Sequence, residues 1–103
     1  MFSFKKLLEE NSHSSKIRKL KIKHTLATVA LNSSINSSEP NRELHSCLSH
    51  LAEVSELNID ISMFEYLCLY PNSTKFDSDI CVYCKTKLHE LEVLISEEIA
   101  YSH

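Results

Sequence analysis

Apolar residues recur at three- and four-residue intervals along most of the chain, which is the spacing of one helix face. The two clearest stripes are Ile17, Leu20, His24, Ala27 and Leu31, and Ile80, Cys81, Cys84, Leu88, Leu91 and Ile95. Strand-like alternation of apolar and polar residues is confined to residues 17–23 and has no hairpin signal beside it. The pattern therefore predicts an all-α fold, a small bundle of helices.

Turn-forming residues divide this pattern into about five predicted helices, at residues 2–10, 15–32, 39–57, 61–69 and 78–100. The polar residues at 11–15 are expected to end the first helix and cap the second. The Ser/Asn-rich segment 32–38 is expected to form a loop that Ile35 pins to the core, because Ser and Asn side chains bond their own backbone. Pro71 ends the fourth helix, since the residue before a proline is driven out of helical geometry.

Composition indicates one domain over residues 1–103, because a chain of this length with 43% hydrophobic residues can bury one core. The chain has no glycine, which excludes the glycine-rich loops that cradle phosphates or dinucleotides. No apolar run approaches the roughly 18 to 20 residues that span a bilayer. The first ten residues do not read as a secretory signal. We therefore expect a cytoplasmic protein without a membrane span, whose four cysteines are reduced thiols.

Positive charge is concentrated near the N-terminus, where residues 1–24 hold seven Lys or Arg against two Glu. Residues 25–103 hold four Lys or Arg against twelve acids. A candidate surface for nucleic acid or another anionic partner consists of Lys16, Arg18, Lys19, Lys21 and Lys23. No aromatic residues for base stacking are interleaved with this basic segment. The same charges are also explained as the solvated face of an amphipathic helix, or as an electrostatic match to acidic helices of the same chain.

The sharpest chemical hypothesis is a structural zinc site, which would be the only cofactor. Cys81 and Cys84 have the CxxC spacing that lets two thiolates reach one ion, and Cys47 and His50 have the same spacing. Together they would form a Cys3His tetrahedron, with His89 or Cys68 as substitute ligands. The alternative is that these cysteines are small buried apolar residues, since they lie on predicted helical stripes and the chain lacks the glycine on which such knuckles normally turn.

No catalytic arrangement is recognisable among the six histidines and fourteen acids, so we expect a non-enzymatic protein. A helical domain without a reactive site still has surfaces, and a protein partner is therefore expected. A homodimer through the first or fifth predicted helix is one such possibility. The candidate contact residues are Phe2, Phe4, Leu7, Tyr66, Tyr70 and Phe76.

Residues 26–39, with the sequence LATVALNSSINSSE, resemble the first half-repeat of the TerB-like tellurite-resistance family. The family pattern is an apolar helix, Asp-Gly, one residue, Ile or Val, three residues and Glu, and Ile35 and Glu39 stand at the matching places. Asn32 and Ser33 replace Asp-Gly, which removes one acid from any acidic metal cluster that the family implies. The resemblance covers about residues 17–70, and the second family repeat is largely missing.

The resemblance implies a helical, non-enzymatic domain of bacteria or phages in stress- or envelope-associated complexes. The function expected from the sequence is therefore that of an interaction or scaffold domain. The alternative is a small nucleic-acid-associated regulator of bacterial or phage type that uses the basic segment 16–24.

Overall fold

The computed structural model of the chain describes residues 4–71 and 78–101, with side chains from residue 13 onward. Its elements are α1 (Phe4–Ile35), α2 (Pro40–Ala52), a 3-10 turn (Ser55–Leu57), α3 (Ile61–Leu69) and α4 (Ser78–Tyr101). The described residues contain no strand, so the predicted all-α class is confirmed. Four α-helices and one short turn take the place of the five helices that the sequence pattern predicts.

α1 runs without a break through residues 11–15, so the predicted boundary between two N-terminal helices is wrong. The segment contains neither glycine nor proline, and Ser or Asn inside a helix costs only about 0.5 kcal/mol per residue relative to alanine. Contacts with α4 offset this cost. His13 Nε2 lies 2.6 Å from the backbone oxygen of Glu98, and Lys16 Nζ donates to Glu98 Oε1 at 3.1 Å. Packing against a second helix thus overrides a weak local preference.

The C-terminal end of α1 also differs from the prediction. The helix continues to Ile35, which shortens the predicted loop at 32–38 to residues 36–39. Ile35 is exposed and does not pin the loop to the core. Ser34 is buried instead, and its hydroxyl donates a hydrogen bond to the Leu31 carbonyl oxygen at 2.6 Å. That hydrogen bond satisfies the hydroxyl and allows a polar side chain at a buried position.

Local chemistry explains the next boundaries. Pro40 begins α2, where a missing N–H costs no hydrogen bond, and the helix ends at Ala52, earlier than predicted. The 3-10 turn ends at Leu57 and is capped by Asn58, whose φ of 50° lies in the left-handed region that asparagine tolerates. Asp60 caps α3 by accepting a hydrogen bond from the Ser62 N–H at 2.9 Å. α3 therefore begins and ends at the predicted residues.

α2 and α4 both run antiparallel to α1. Residues 36–39 turn the chain back, so that α2 returns along the C-terminal half of α1. Along α4, Glu92 contacts His24 and Glu98 contacts His13, so residue numbers rise in α4 as they fall in α1. α2 ends at Ala52, whereas α1 and α4 continue past it as a pair, and the longest dimension of the fold is 61 Å.

A single core joins all of these elements. Its fully buried leucines are Leu44, Leu48, Leu51, Leu67 and Leu91. α1 contributes Leu20, Ala27, Ala30 and Leu31. The two alanines lie where α1 meets the rest of the core, and their small side chains permit a close approach of the helices. One face of α1 is thus buried, whereas Ile22, Leu26 and Val29 on the opposite face are exposed.

Candidate interaction surface

Two lysines of the predicted basic segment form ion pairs within the chain. Lys16 Nζ lies 3.1 Å from Glu98 Oε1 of α4 and 3.8 Å from Glu56 Oε1, and the hydrogen bond to Glu98 raises the pKa of the lysine. Lys23 Nζ binds Glu53 Oε2, and this hydrogen bond lowers the pKa of the Glu53 carboxyl. These two cations are therefore already matched by acids from the second half of the chain.

Two histidines of α1, His13 and His24, contact glutamates of α4. His24 Nε2 lies 3.0 Å from Glu92 Oε1, and this hydrogen bond is the main reason why the pKa of Glu92 is lowered. His89 Nδ1 approaches the second oxygen of Glu92 at 3.6 Å. His13 Nδ1 lies 3.4 Å from Glu98 Oε2. The uneven charge distribution of the sequence thus serves, in part, to attach α1 to α4.

The other predicted basic residues are Arg18, Lys19 and Lys21, and all three are exposed. Among residues whose side chains the structure describes, none of the three takes part in an ion pair. The structure therefore divides the predicted basic segment into two sets. Lys16 and Lys23 are bound within the chain, and Arg18, Lys19 and Lys21 remain available at the surface.

α1 carries a second apolar stripe that faces away from the core. Ile22, Leu26 and Val29 are 49%, 42% and 59% exposed, and their spacing of four and three residues places them on one side of the helix. We call this stripe, together with Arg18 and Thr25 beside it, the outer face of α1. Its helical spacing is present in the sequence, but the longer stripe on the other side of α1 is the one predicted to form the core.

α3 exposes further apolar side chains. Ile61 and Leu69 are each 71% exposed, and Tyr66 and Tyr70 are also exposed, with ring centroids 5.3 Å apart. Both tyrosines are predicted contact residues, and their contact with a partner stays a prediction. The other predicted contact residues, Phe2, Phe4, Leu7 and Phe76, lie outside the part of the chain whose side chains the structure describes.

The structure brings together two of the four predicted zinc ligands. Cys47 and Cys84 are buried, and a hydrogen bond between their side chains, with burial, raises the pKa of Cys84 well above the usual range of a thiol. Cys81 is also buried, whereas His50 is half-buried near Glu53. In the described part of the chain, no group of three or more His, Cys, Asp or Glu residues is placed to hold a metal ion. The zinc site stays a prediction.

The burial of three thiols gives a direct test of the core. We expect one fast-reacting thiol per native chain with a disulfide reagent, namely the exposed Cys68. The other three should react at least about 100-fold more slowly, because local unfolding must expose them first. Cys68→Ser should abolish the fast phase, and Cys81→Ser should leave it unchanged. Two or more fast thiols in the unmodified chain would contradict the described packing of α2 against α4.

Comparisons with protein families, with curated proteins and with solved structures found no significant match to the chain. The TerB-like resemblance at residues 26–39 therefore stays a prediction. None of the helices that the structure describes is both long and apolar enough to cross a membrane. We therefore infer the function from the surfaces of the chain itself.

Proposed function

We propose that the chain is a non-enzymatic protein-interaction domain that docks its partner on the outer face of α1. The observation that carries the proposal is the exposure of Ile22, Leu26 and Val29 on the side of α1 opposite Leu20 and Ala27. A helix with apolar residues on both faces is normally buried on both. Among the described residues, only one face of α1 is covered, and a partner that covers the other face removes this apolar surface from water.

The charge distribution favours a protein partner over a nucleic acid. Nucleic-acid affinity depends on Lys and Arg that are available to phosphates. Lys16 and Lys23 are held by glutamates of the same chain, which reduces the positive potential that the basic segment presents. The aliphatic side chains of Ile22, Leu26 and Val29 have neither a positive charge nor a hydrogen-bond donor with which to bind a phosphate. They match the side of a partner helix, on which anchor residues also recur every three or four positions.

The resemblance to the TerB-like family independently supports a non-enzymatic interaction domain. It implies a scaffold domain in stress- or envelope-associated complexes. We propose this setting for the partner on that basis alone, with Ile35 and Glu39 as the residues that match the family pattern.

A photo-crosslinking amino acid at position 29 tests the proposal in cells that naturally produce the protein. We expect discrete protein adducts from position 29, because Val29 is the most exposed of the three aliphatic residues of the outer face of α1. The matched control is position 85, where an exposed lysine lies on α4, away from the outer face of α1. Adducts should be sensitive to protease, resistant to nuclease, and much weaker from position 85.

Two results would overturn this proposal. Equal adducts from positions 29 and 85 would show that the outer face of α1 has no preferred partner. Nuclease-sensitive adducts from position 29 would favour the nucleic-acid alternative. In that case the purified chain should also bind duplex DNA at about 50 mM salt and lose affinity steeply as salt rises.

A further inference from the structure

The outer face of α1 has a nearly palindromic order of side chains. Ile22 and Val29 are its terminal aliphatic residues, seven positions apart, and Thr25 and Leu26 lie at the midpoint. All four are exposed. When the helix is read in the opposite direction, Ile22 and Val29 exchange places, and so do Thr25 and Leu26 at the centre. A surface that contacts a copy of itself across a twofold axis must be self-complementary in this way.

We propose that a second copy of this chain covers the outer face of α1, with the two α1 helices antiparallel about a twofold axis beside Thr25 and Leu26. This inference rests on the proposed function, because it names the partner of that same surface. Ile22 of each copy then contacts Val29 of the other, and the two Leu26 side chains meet beside the axis. The seven-residue interval with a residue near its midpoint is the spacing of a paired-helix seam.

Charge selects the antiparallel arrangement. Arg18, Lys19 and Lys21 lie at the N-terminal end of the outer face, whereas Asn32 and Ser33 at the other end are uncharged. α1 has no basic residue in its last turn, where unpaired carbonyl groups carry partial negative charge. Parallel helices would set the cations of the two copies against each other. Antiparallel helices set the cations of each copy beside the C-terminal end of the other.

The size of the surface predicts a weak dimer. Three aliphatic side chains that are about half exposed in the monomer form a contact well below the roughly 1,000 Å² of stable complexes. We therefore expect association with a dissociation constant of about 10 μM or weaker. Trapping the dimer covalently is accordingly more informative than chromatography of a dilute sample.

A disulfide trap in a Cys68→Ser background tests both the partner and the direction of the helices. Thr25→Cys places a thiol beside the proposed axis and keeps all three aliphatic residues, while Asn32→Cys is a matched control one heptad further along the same side of α1. Oxidised glutathione accepts the two electrons and is reduced to two thiols as the intermolecular disulfide forms. Antiparallel packing separates the two position-32 α-carbons by about 20 Å, too far for a disulfide.

We expect the covalent dimer to form at least about 10-fold faster from Thr25→Cys than from Asn32→Cys at about 100 μM chain, where a weak dimer is populated. Adding Val29→Ser to the Thr25→Cys chain should remove this advantage. Equally fast trapping at both positions would show parallel helices, and equally slow trapping would show no dimer; either result overturns the inference. A heterologous protein adduct from position 29 in cells would still support the proposed function.

Discussion

Replacing Leu91 with alanine is expected to lower the free energy of unfolding by about 2–5 kcal/mol. Leu91 is fully buried in the core that α4 shares with α1 and α2. Truncation removes buried apolar surface and leaves a cavity that the neighbouring leucines fill only in part. Domains of this size have total stabilities of about 5–15 kcal/mol, so a loss in this range is a large fraction of the whole. Urea unfolding followed by circular dichroism measures it.

Val93 provides the matched control, because it lies two residues further along α4 and is 45% exposed. Val93→Ala should change the free energy of unfolding by no more than about 0.5 kcal/mol, as is usual for surface substitutions. The contrast between the two positions depends on which side of α4 faces the core. Similar losses for both variants would contradict the described orientation of α4.

Elements whose boundaries depend on local chemistry could be predicted from the sequence. The start of α3 follows from Asp60, which caps the helix by accepting a hydrogen bond from Ser62. Its end follows from Pro71, which excludes helical geometry at the preceding residue. The start of α4 at Ser78 also agrees with the predicted helix at residues 78–100. These signals act within a few residues and need no knowledge of the rest of the fold.

Boundaries that depend on tertiary contacts could not be predicted in this way. The polar residues 11–15 resemble a helix end, yet α1 continues because His13 and Lys16 bind Glu98, which is more than 80 positions away in the sequence. At its other end α1 continues to Ile35, and the helix there fixes which residue faces the core, so that Ser34 is buried and Ile35 is exposed.

The sequence shows the apolar spacing of the interaction surface but not its exposure. The spacing of Ile22, Leu26 and Val29 is helical, but α1 has two apolar stripes, and spacing alone does not show which stripe the rest of the chain covers. The ion pairs of Lys16 and Lys23 were equally hidden, because each partner comes from a distant segment. Basic charge in the sequence therefore overstated the positive surface that the folded chain presents.

Asn41→Asp is expected to destabilise the fold by about 3–5 kcal/mol at pH 7, the cost of an unpaired buried charge. Asn41 is buried in the first turn of α2, and its Nδ2 donates to the Tyr70 carbonyl oxygen at 2.8 Å. Its Oδ1 accepts no hydrogen bond from the described residues. A carboxylate here sets a negative charge against a carbonyl oxygen. Attraction between the carboxylate and the partial positive charge at the N-terminus of α2 offsets only about 0.3–1 kcal/mol of this cost. The net effect of the substitution is therefore destabilising.

Asn41→Leu separates the effect of charge from that of the lost hydrogen bond. It removes the contact with the Tyr70 carbonyl but introduces no charge, and we expect a loss of about 1–2 kcal/mol that does not change with pH. In the Asn41→Asp chain, burial raises the carboxyl pKa above its unfolded value of about 3.9. The folded state then binds more protons than the unfolded state, so its deficit relative to the unmodified chain should shrink as the pH falls from 7 towards 4.

The pH dependence is decisive because a protonated carboxyl can donate to the Tyr70 oxygen as the amide does, whereas leucine cannot. Urea unfolding of the three chains at pH 7 and pH 5 measures both effects. Equal, pH-independent losses for the two variants would mean that position 41 is open to water. The start of α2 would then not be held against the end of α3 in the described way.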